Sequence, residues 1–434
     1  MTFTLLVLYN IMRVPLFALF KIAGFFNAKI RKSFKGRQNL FTRLDKELQR
    51  IPPGAPRLWV HISSMGELEQ GIPLIDELLA RFSEAWIVIS LFSPSVYEHI
   101  KLSHERTIYT YLPFDSLCNA GKFIHKLKPR LHVIIRHDIW PNYQWLLQRK
   151  KIPSILVDAS FSDKRLKLIK RWRSLYTHVY ATFAAICVIS QSNKERLASV
   201  YPRTKRIIIC GDTRYDRVYS RATDTARIDF LRQKEFFIRE KCLVAGSTWP
   251  ADEKVILPGI LKAMQQHKEF SLIIAPHEIS GEHLDFIDES FANVDISVTK
   301  LSEWENFAAS GSRVLLIDSI GLLANLYALG AIAYVGGGFG VGVHSVLEPA
   351  AHGAVVCYGP NYKNSPEAQE MATQKIAASI ANQVEFQRLL LQLFDDPEST
   401  RHRGEETKNY VLRNVGASRR AVNVLEKFVT HSYT

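Results

Sequence analysis

The stretch LWVHISSMGELEQGIPLIDELLARFSEAWIVISL, residues 58–91, holds two short runs rich in β-branched and aromatic residues, Leu58–Ile62 and Trp86–Leu91. Between them lies a segment long enough for a crossover helix, and Ser63 or Ser64 stands where its N-cap is wanted. This is the pattern of a βαβ unit, and its repetition predicts a parallel sheet. Outward from it the alternation continues through Leu131–Ile135, Ser154–Val157, Ala185–Ile189 and Arg206–Cys210. It pauses over a polar span at about 211–240, rich in Arg and Asp, and resumes at Cys242–Ala245, Ser271–Ala275, Val314–Ile317, Ile332–Val335 and Val355–Tyr358. The chain reads as two successive doubly wound α/β domains, each Rossmann-like, facing a cleft at the carboxyl ends of their strands. The expected divisions are 1–38, a helix and basic segment; 39–215, the first domain; 216–240, a linker; 241–405, the second domain; and 406–434, part of a last helix over about 403–431 that can return to the first domain.

A chain of 434 residues is too long for a small disulfide-stapled scaffold, and 47% hydrophobic with 23% charged residues excludes disorder and a polytopic membrane protein. The distinctive quantity is charge: 56 Lys and Arg against 42 Asp and Glu give +14. Nucleic acid, anionic lipid and a phosphorylated substrate all satisfy such a surplus. The usual aromatic-and-basic motifs of nucleic-acid readers are missing, which disfavours the first. Cys118, Cys187, Cys210, Cys242 and Cys357 are spread singly, so packed thiols in a reducing compartment are expected rather than a disulfide framework or a zinc site.

Residues 3–26, FTLLVLYNIMRVPLFALFKIAGFF, are strongly apolar, and 28–37, AKIRKSFKGR, carry five positive charges and no acid. No small-residue cleavage site follows, so a retained membrane anchor is expected. At about 100° per residue, Asn10, Arg13 and Lys21 share an arc of roughly 80°, a narrow polar stripe on an apolar helix. That suits a helix lying in the membrane interface, its basic sequel against anionic headgroups. A spanning helix and a helix buried on the chain's own core stay open.

Five motifs follow strand ends. His61-Ile-Ser-Ser-Met-Gly-Glu67 sets Glu67 in the first turn of the next helix, where the dipole favours its anion and a carboxylate facing a cleft can act as general base. Gly66 permits close backbone approach. The spacing also satisfies a capping box in which Ser64 pairs with Glu67. In Arg136-His-Asp138-Ile-Trp140-Pro-Asn142, Asp138 can bind substrate hydroxyls or orient another group, and Trp140 reads as packing rather than a stacking platform. Ala245-Gly246-Ser247-Thr248 offers backbone N–H groups and two hydroxyls to a phosphate, without the lysine of a P-loop. Ala275-Pro-His277 ends the next strand with an imidazole.

The fifth motif, GGGFGVGVHSVLEP over 336–349, fails the G-x-G-x-x-G spacing. Pro349 must fall in a helix's first turn, which places Glu348 at the helix tip behind a glycine loop. The loop then offers N–H donors for a phosphate and Glu348 a carboxylate for a ribose diol; a glycine-rich surface turn with a dipole-capping Glu is the alternative. Separately, Lys164, Arg165, Lys167, Lys170, Arg171 and Arg173 form a basic run that can meet phosphates or a membrane surface, or face solvent.

Taken in order, WVHISSMGELE, the Asp138-Ile-Trp-Pro-Asn142 segment, AGSTWPADE, the Ala-Pro-His277 strand end, and GGGFGVGVHSVLEPAAHG with GPNYKN after it resemble the 3-deoxy-D-manno-octulosonic acid (Kdo) transferases of lipid A assembly, from the N-terminal anchor to about residue 420. The resemblance implies the two-domain GT-B glycosyltransferase fold and transfer of Kdo from CMP-Kdo to a tetraacyl disaccharide bisphosphate precursor of lipid A, with inversion, in lipopolysaccharide biosynthesis. It implies residence on the cytoplasmic face of the inner membrane, with CMP-Kdo, the lipid precursor and the anionic membrane surface as partners. Nucleic acid is not among them, and no cofactor or nucleotide-bound catalytic metal is implied.

By the same resemblance Glu67 matches the family's catalytic base. Ser63, Ser64, Gly66, Asp138 and Asn142 fall on the acceptor side; Gly246, Ser247, Thr248, His277, Ser319, Gly321, Gly337, Gly338, His344, Ser345, Glu348 and Asn364 fall on the donor side. Four positions depart from the pattern: Asp138 stands where Glu is usual, His277 where Arg is, Ser345 where Asn is, and Leu322 where Glu is. The rival readings are another GT-B enzyme, either a UDP-sugar transferase or a nucleotide-sugar epimerase, and a non-enzymatic protein that binds anionic membrane or nucleic acid.

Overall fold

The computed structural model describes residues 3–100, 104–224, 226–232, 237–306 and 311–430. The chain forms two compact units, one of Met1–Arg217 with Val415–Thr434 and one of Val218–Asn414.

The first unit is built on a seven-stranded parallel sheet: β1 (Arg57–Ile62), β2 (Trp86–Leu91), β3 (Thr107–Tyr111), β4 (Leu131–Ile135), β5 (Ser154–Ala159), β6 (Ala185–Val188) and β7 (Ile207–Ile209). Their spatial order is β3-β2-β1-β4-β5-β6-β7, all pairs parallel. The order reverses between β1 and β4, where Val60 lies beside Val133 on one side and Ile89 on the other. At such a reversal the crossovers leave in opposite directions and open a crevice beyond the strands' carboxyl ends.

The second unit repeats the plan with β8 (Cys242–Thr248), β9 (Ser271–Pro276), β10 (Val298–Lys300), β11 (Val314–Leu316), β12 (Ile332–Val335), β13 (Val355–Tyr358) and β14 (Ala377–Ser379). The order is β10-β11-β9-β8-β12-β13-β14, so its reversal falls between β8 and β12. Both sheets are covered on their two faces, which is why their central strands are near-continuous apolar runs. Three strands escaped the sequence reading: β3, β10 and β14. Each is a sheet edge, where one ladder is unpaired and a polar or exposed side chain such as Tyr109 is tolerated.

The last helix expected over about 403–431 is two helices, Pro397–Asn414 and Ala417–Thr430. Gly416 between them adopts φ +94, and its N–H and that of Ser418 donate to the Asp216 carboxylate. Ala421, Val422 and Leu425 of the second helix pack in one core with Leu58, Val60 and Ile87. Cys187, Cys210, Cys242 and Cys357 are buried free thiols; Cys118 is exposed, contrary to the expectation of packing.

One described helix, Thr4–Phe26, is long and apolar enough to cross a membrane, with mean hydropathy 1.7. Only 6% of its most apolar window is buried, so it is not a core helix. Asn10 of its polar stripe is turned toward the first unit. Tyr9 donates to Asp115 at 2.7 Å, and Asn10 exchanges amide bonds with Asn142 at 2.7 and 3.1 Å. Ile11, Val14, Leu19, Phe25 and Phe26 point outward, and of the stripe only Lys21 is exposed. The basic sequel also divides. Arg37 sits among Phe92, Tyr111 and Phe114, 4.4 to 4.9 Å from their ring centres, and donates to the carbonyls of Leu112 and Phe92 at 2.7 and 2.9 Å. Burial pulls its guanidinium down to about 10. Lys29, Arg31 and Lys35 remain exposed, and Lys32 pairs with Glu98 at 3.1 Å.

Candidate active site

In the first unit the site is assembled at the reversal between β1 and β4. After β1 the chain turns into the helix Met65–Arg81, and Ser64 caps it by accepting from the Glu67 N–H at 3.3 Å. The Glu67 carboxylate then folds back one residue further than a capping box requires. Its Oε2 accepts from both the N–H and the hydroxyl of Ser63 at 2.7 Å, and Oε1 accepts no bond among the described residues. The side chain is 8% exposed, an oriented acid with one oxygen unengaged. Gly66 beside it is exposed, with nothing within 4 Å of where a Cβ would lie.

Beyond β4, Asp138 Oδ2 lies 2.9 Å from His61 Nε2 and accepts from Trp140 Nε1 at 3.0 Å. His61 is buried on β1, its Nδ1 2.8 Å from Ser90 Oγ, which in turn accepts from Trp59 Nε1 at 2.7 Å. A relay therefore runs Trp59–Ser90–His61–Asp138–Trp140 through the sheet's core. The sequence reading assigned His61 no role, although an imidazole inside an apolar strand was the available signal. Trp140 packs on Phe92 with ring centres 5.0 Å apart, as its packing reading required. Asn142 is fully buried and its amide is engaged by Asn10 and Asp115, so it holds the N-terminal helix rather than facing the crevice.

Further polar groups collect at neighbouring strand ends. Asp158, at φ +56 on β5, is buried and accepts from Thr213; burial first, then the charge of Asp212, holds its carboxyl well above the usual range. Asp212 accepts from Gln70 on the Glu67 helix at 3.5 Å and is gripped by Arg214 at 2.7 Å.

In the second unit the corresponding reversal brings the ends of β8 and β12 together. A Cβ on Gly336 would lie 2.0 Å from the Ser247 carbonyl oxygen, so only glycine lets the two strand ends approach this closely. The loop after β12 is braced from within. Gly336 N–H donates to Gly246, Gly337 and Phe339 donate to the Asp252 carboxylate at 2.7 and 3.2 Å, and Gly340 donates to Gly337. Four of the five amides from Gly336 to Gly340 thus have acceptors within the protein. Asp252, fully buried near the start of the helix Pro250–Gln266, also accepts from Tyr334 OH and Trp249 N–H, and the sequence reading missed it.

Thr248 is likewise buried and donates its hydroxyl to Glu253 at 2.7 Å, which leaves Ser247, at φ +54, as the accessible hydroxyl of that pair. Around the loop the rings of Trp249, His277 and His344 stack, with centres 4.5 Å apart for the first pair and 4.6 Å for the two imidazoles. Trp249 Nε1 donates to His344 Nε2 at 3.0 Å, a bond that needs a neutral imidazole; burial and the neighbouring His277 lower the His344 pKa accordingly. Asn364 donates to the Val343 carbonyl at 3.0 Å, and Ser345 is exposed beside it. Glu348 is the second residue of a helix of five, Leu347–Ala351, 3.6 Å from Arg221. A helix that short has little dipole to offer an anion. Ser319 and Gly321, the latter at φ +96, lie on an exposed turn after β11, two strands away from the reversal.

Two doubly wound parallel units with polar constellations at both strand-order reversals define the GT-B class of fold. The structure of UDP-GlcNAc 2-epimerase from Neisseria meningitidis shares that fold, with TM-score 0.61, 15% identity, and 86% of this chain and 100% of that one covered. Residues 34–217 match the family described as 3-deoxy-D-manno-octulosonic-acid transferase (kdotransferase). The Haemophilus influenzae 3-deoxy-D-manno-octulosonic acid transferase is 24% identical over 410 residues, covering 92% of this chain and 93% of its own. A bifunctional glycosyltransferase/methyltransferase of Fusobacterium nucleatum is 26% identical over 366 residues, covering 82% of this chain, which spans only 55% of that longer relative. Together with the motifs, these likenesses make the chain similar to the Kdo transferases, with the family match itself confined to residues 34–217.

Proposed function

We propose that the protein transfers Kdo from CMP-Kdo to a sugar hydroxyl of a tetraacylated lipid A precursor, with inversion, at the cytoplasmic face of the inner membrane. The observation that carries this is Glu67: a nearly buried carboxylate, fixed through one oxygen by Ser63 and presenting the other at the β1–β4 reversal. The names of the relatives supply the sugar, and the motif resemblance supplies the donor and acceptor.

In the reaction the acceptor hydroxyl attacks the anomeric carbon of Kdo while Glu67 Oε1 takes its proton. The new C–O bond forms as the bond to the CMP phosphate breaks, and the electron pair leaves with CMP. Attack and departure on opposite faces of an oxocarbenium-like transition state invert the centre. Asp138, held by His61 and Trp140, orients acceptor hydroxyls beside Glu67. On the donor unit the Ser247 hydroxyl and the His277 imidazole meet the phosphate charge, and Glu348 binds the ribose diol.

The outward apolar face of the N-terminal helix and the exposed Lys29, Arg31 and Lys35 after it support a membrane seat next to a lipid acceptor. Incubation with CMP-Kdo and tetraacyl lipid A precursor, followed by mass measurement of the lipid, tests the reading. A gain of one or more Kdo units is expected; an unchanged lipid mass with active control enzyme overturns it.

A further inference from the structure

An apolar pocket of about 580 Å³ opens in the first unit between the N-terminal helix and the helix pair Asp163–Arg171 and Arg173–Tyr180. Its volume falls in the range of roughly 300–1,000 Å³ typical of small-ligand sites. Leu8, Met12 and Leu16 form one wall, Leu168, Trp172 and Leu175 the other, with Phe114 and Trp140 among the lining residues. Leu8, Met12, Leu16, Leu168 and Trp172 are each about half exposed, so the walls do not close on one another as a core would. Polar groups in the lining are few, and one of them, Arg13, has a buried Nε without a hydrogen-bond partner.

We propose that this pocket receives an acyl chain of the phosphorylated lipid acceptor, an inference that rests on the lipid-acceptor reading above. Charge selects the occupant. Lys164, Lys167, Lys170, Arg171 and Arg173 are exposed on the same helix pair whose Leu168 and Trp172 line the pocket, so a chain lying in it brings its phosphate to a cationic rim. Trp140 connects the pocket to the chemistry, since it lines the cavity and donates to Asp138 at 3.0 Å. Seating the chain against Trp140 thus registers the acceptor's sugar at the β1–β4 reversal, a use of remote binding energy to position the reacting hydroxyl.

The test uses the full chain in a neutral detergent and a probe that needs no catalysis: dodecyl phosphate brominated at its tail, which quenches tryptophan fluorescence on contact. Saturable quenching is expected, weakened about tenfold for the uncharged bromododecanol and about tenfold in Leu168→Trp and Leu175→Trp, equivalent to losing roughly two buried methylenes. Leu168 is at the exposed rim, so that variant folds even if the deeper one does not. Quenching that never saturates, or that is equal in the wild type and the Leu168→Trp variant, means partition into the micelle and overturns the proposal.

A second readout is the KM of transfer, expected to rise about tenfold for the tetraacyl acceptor in Leu168→Trp and to stay unchanged for a deacylated disaccharide bisphosphate. An equal rise for both acceptors overturns the pocket and leaves the transferase reading standing. Failure of transfer to either acceptor by wild type defeats that reading instead, and the quenching arm then decides the pocket alone.

Discussion

The imidazole Nε2 of His61 lies 2.9 Å from Oδ2 of Asp138, a bond that ties the carboxyl ends of β1 and β4 together where the strand order reverses. His61 and the Trp140 N–H together fix the Asp138 carboxylate through its Oδ2.

Removing the carboxylate in Asp138→Ala leaves the buried His61 ring and the Trp140 N–H without their acceptor, so stability should fall by about 2 kcal/mol. Urea unfolding followed by fluorescence measures this. Transfer should fall as well, with CMP affinity unchanged, because Asp138 and the glycine loop proposed to meet the donor lie in different units. A variant as stable and active as wild type would show that the bond is incidental.

Asp252 organises the glycine loop by four hydrogen bonds, from Trp249, Tyr334, Gly337 and Phe339. In Asp252→Ala those donors lose a buried partner, and a destabilisation of about 3 kcal/mol or more is expected, with weakened CMP binding by calorimetry. If CMP binds the variant with wild-type affinity, the loop does not belong to the donor site.

Burial pushes the Asp115 carboxyl up to about 6, against the relief given by Tyr9 and Asn142. A folded pKa above the unfolded value near 4 stabilises the fold fully below pH 4, and that contribution is lost as pH rises through 6. It amounts to about 3 kcal/mol by pH 7. Asp115→Asn keeps an acceptor for Tyr9 and Asn142 and should flatten this part of the stability profile, gaining on wild type above pH 6. Parallel profiles for the two proteins between pH 4 and 7 would contradict it.

Much of the fold was legible because a parallel sheet buried on both faces leaves apolar runs separated by helices, and the central strands followed that rule. The edges β3, β10 and β14 were not, since a three-residue strand such as Val298–Lys300 leaves too short a trace. The break at Gly416 was hidden because its cause, Asp216, lies about two hundred residues away in sequence. Glu67 was legible from its place after a strand, but its grip on Ser63 depends on a side-chain rotamer that spacing does not reveal. The bracing of the glycine loop was hidden for a similar reason: Asp252, which accepts from the Gly337 and Phe339 amides, lies on another helix. The placement of Asn10 was ambiguous because it suits water or a buried partner equally, and Asn142 decided it.

The central claim is that Glu67 is the base of a Kdo transfer, and it is tested most directly by Glu67→Gln, measured for single-turnover transfer and for CMP-Kdo binding side by side. The amide can still accept from Ser63 through its carbonyl oxygen but cannot take the acceptor's proton. Transfer should fall by roughly 10²–10⁴-fold while donor affinity stays within about twofold of wild type. Near-normal turnover in that variant would contradict the account.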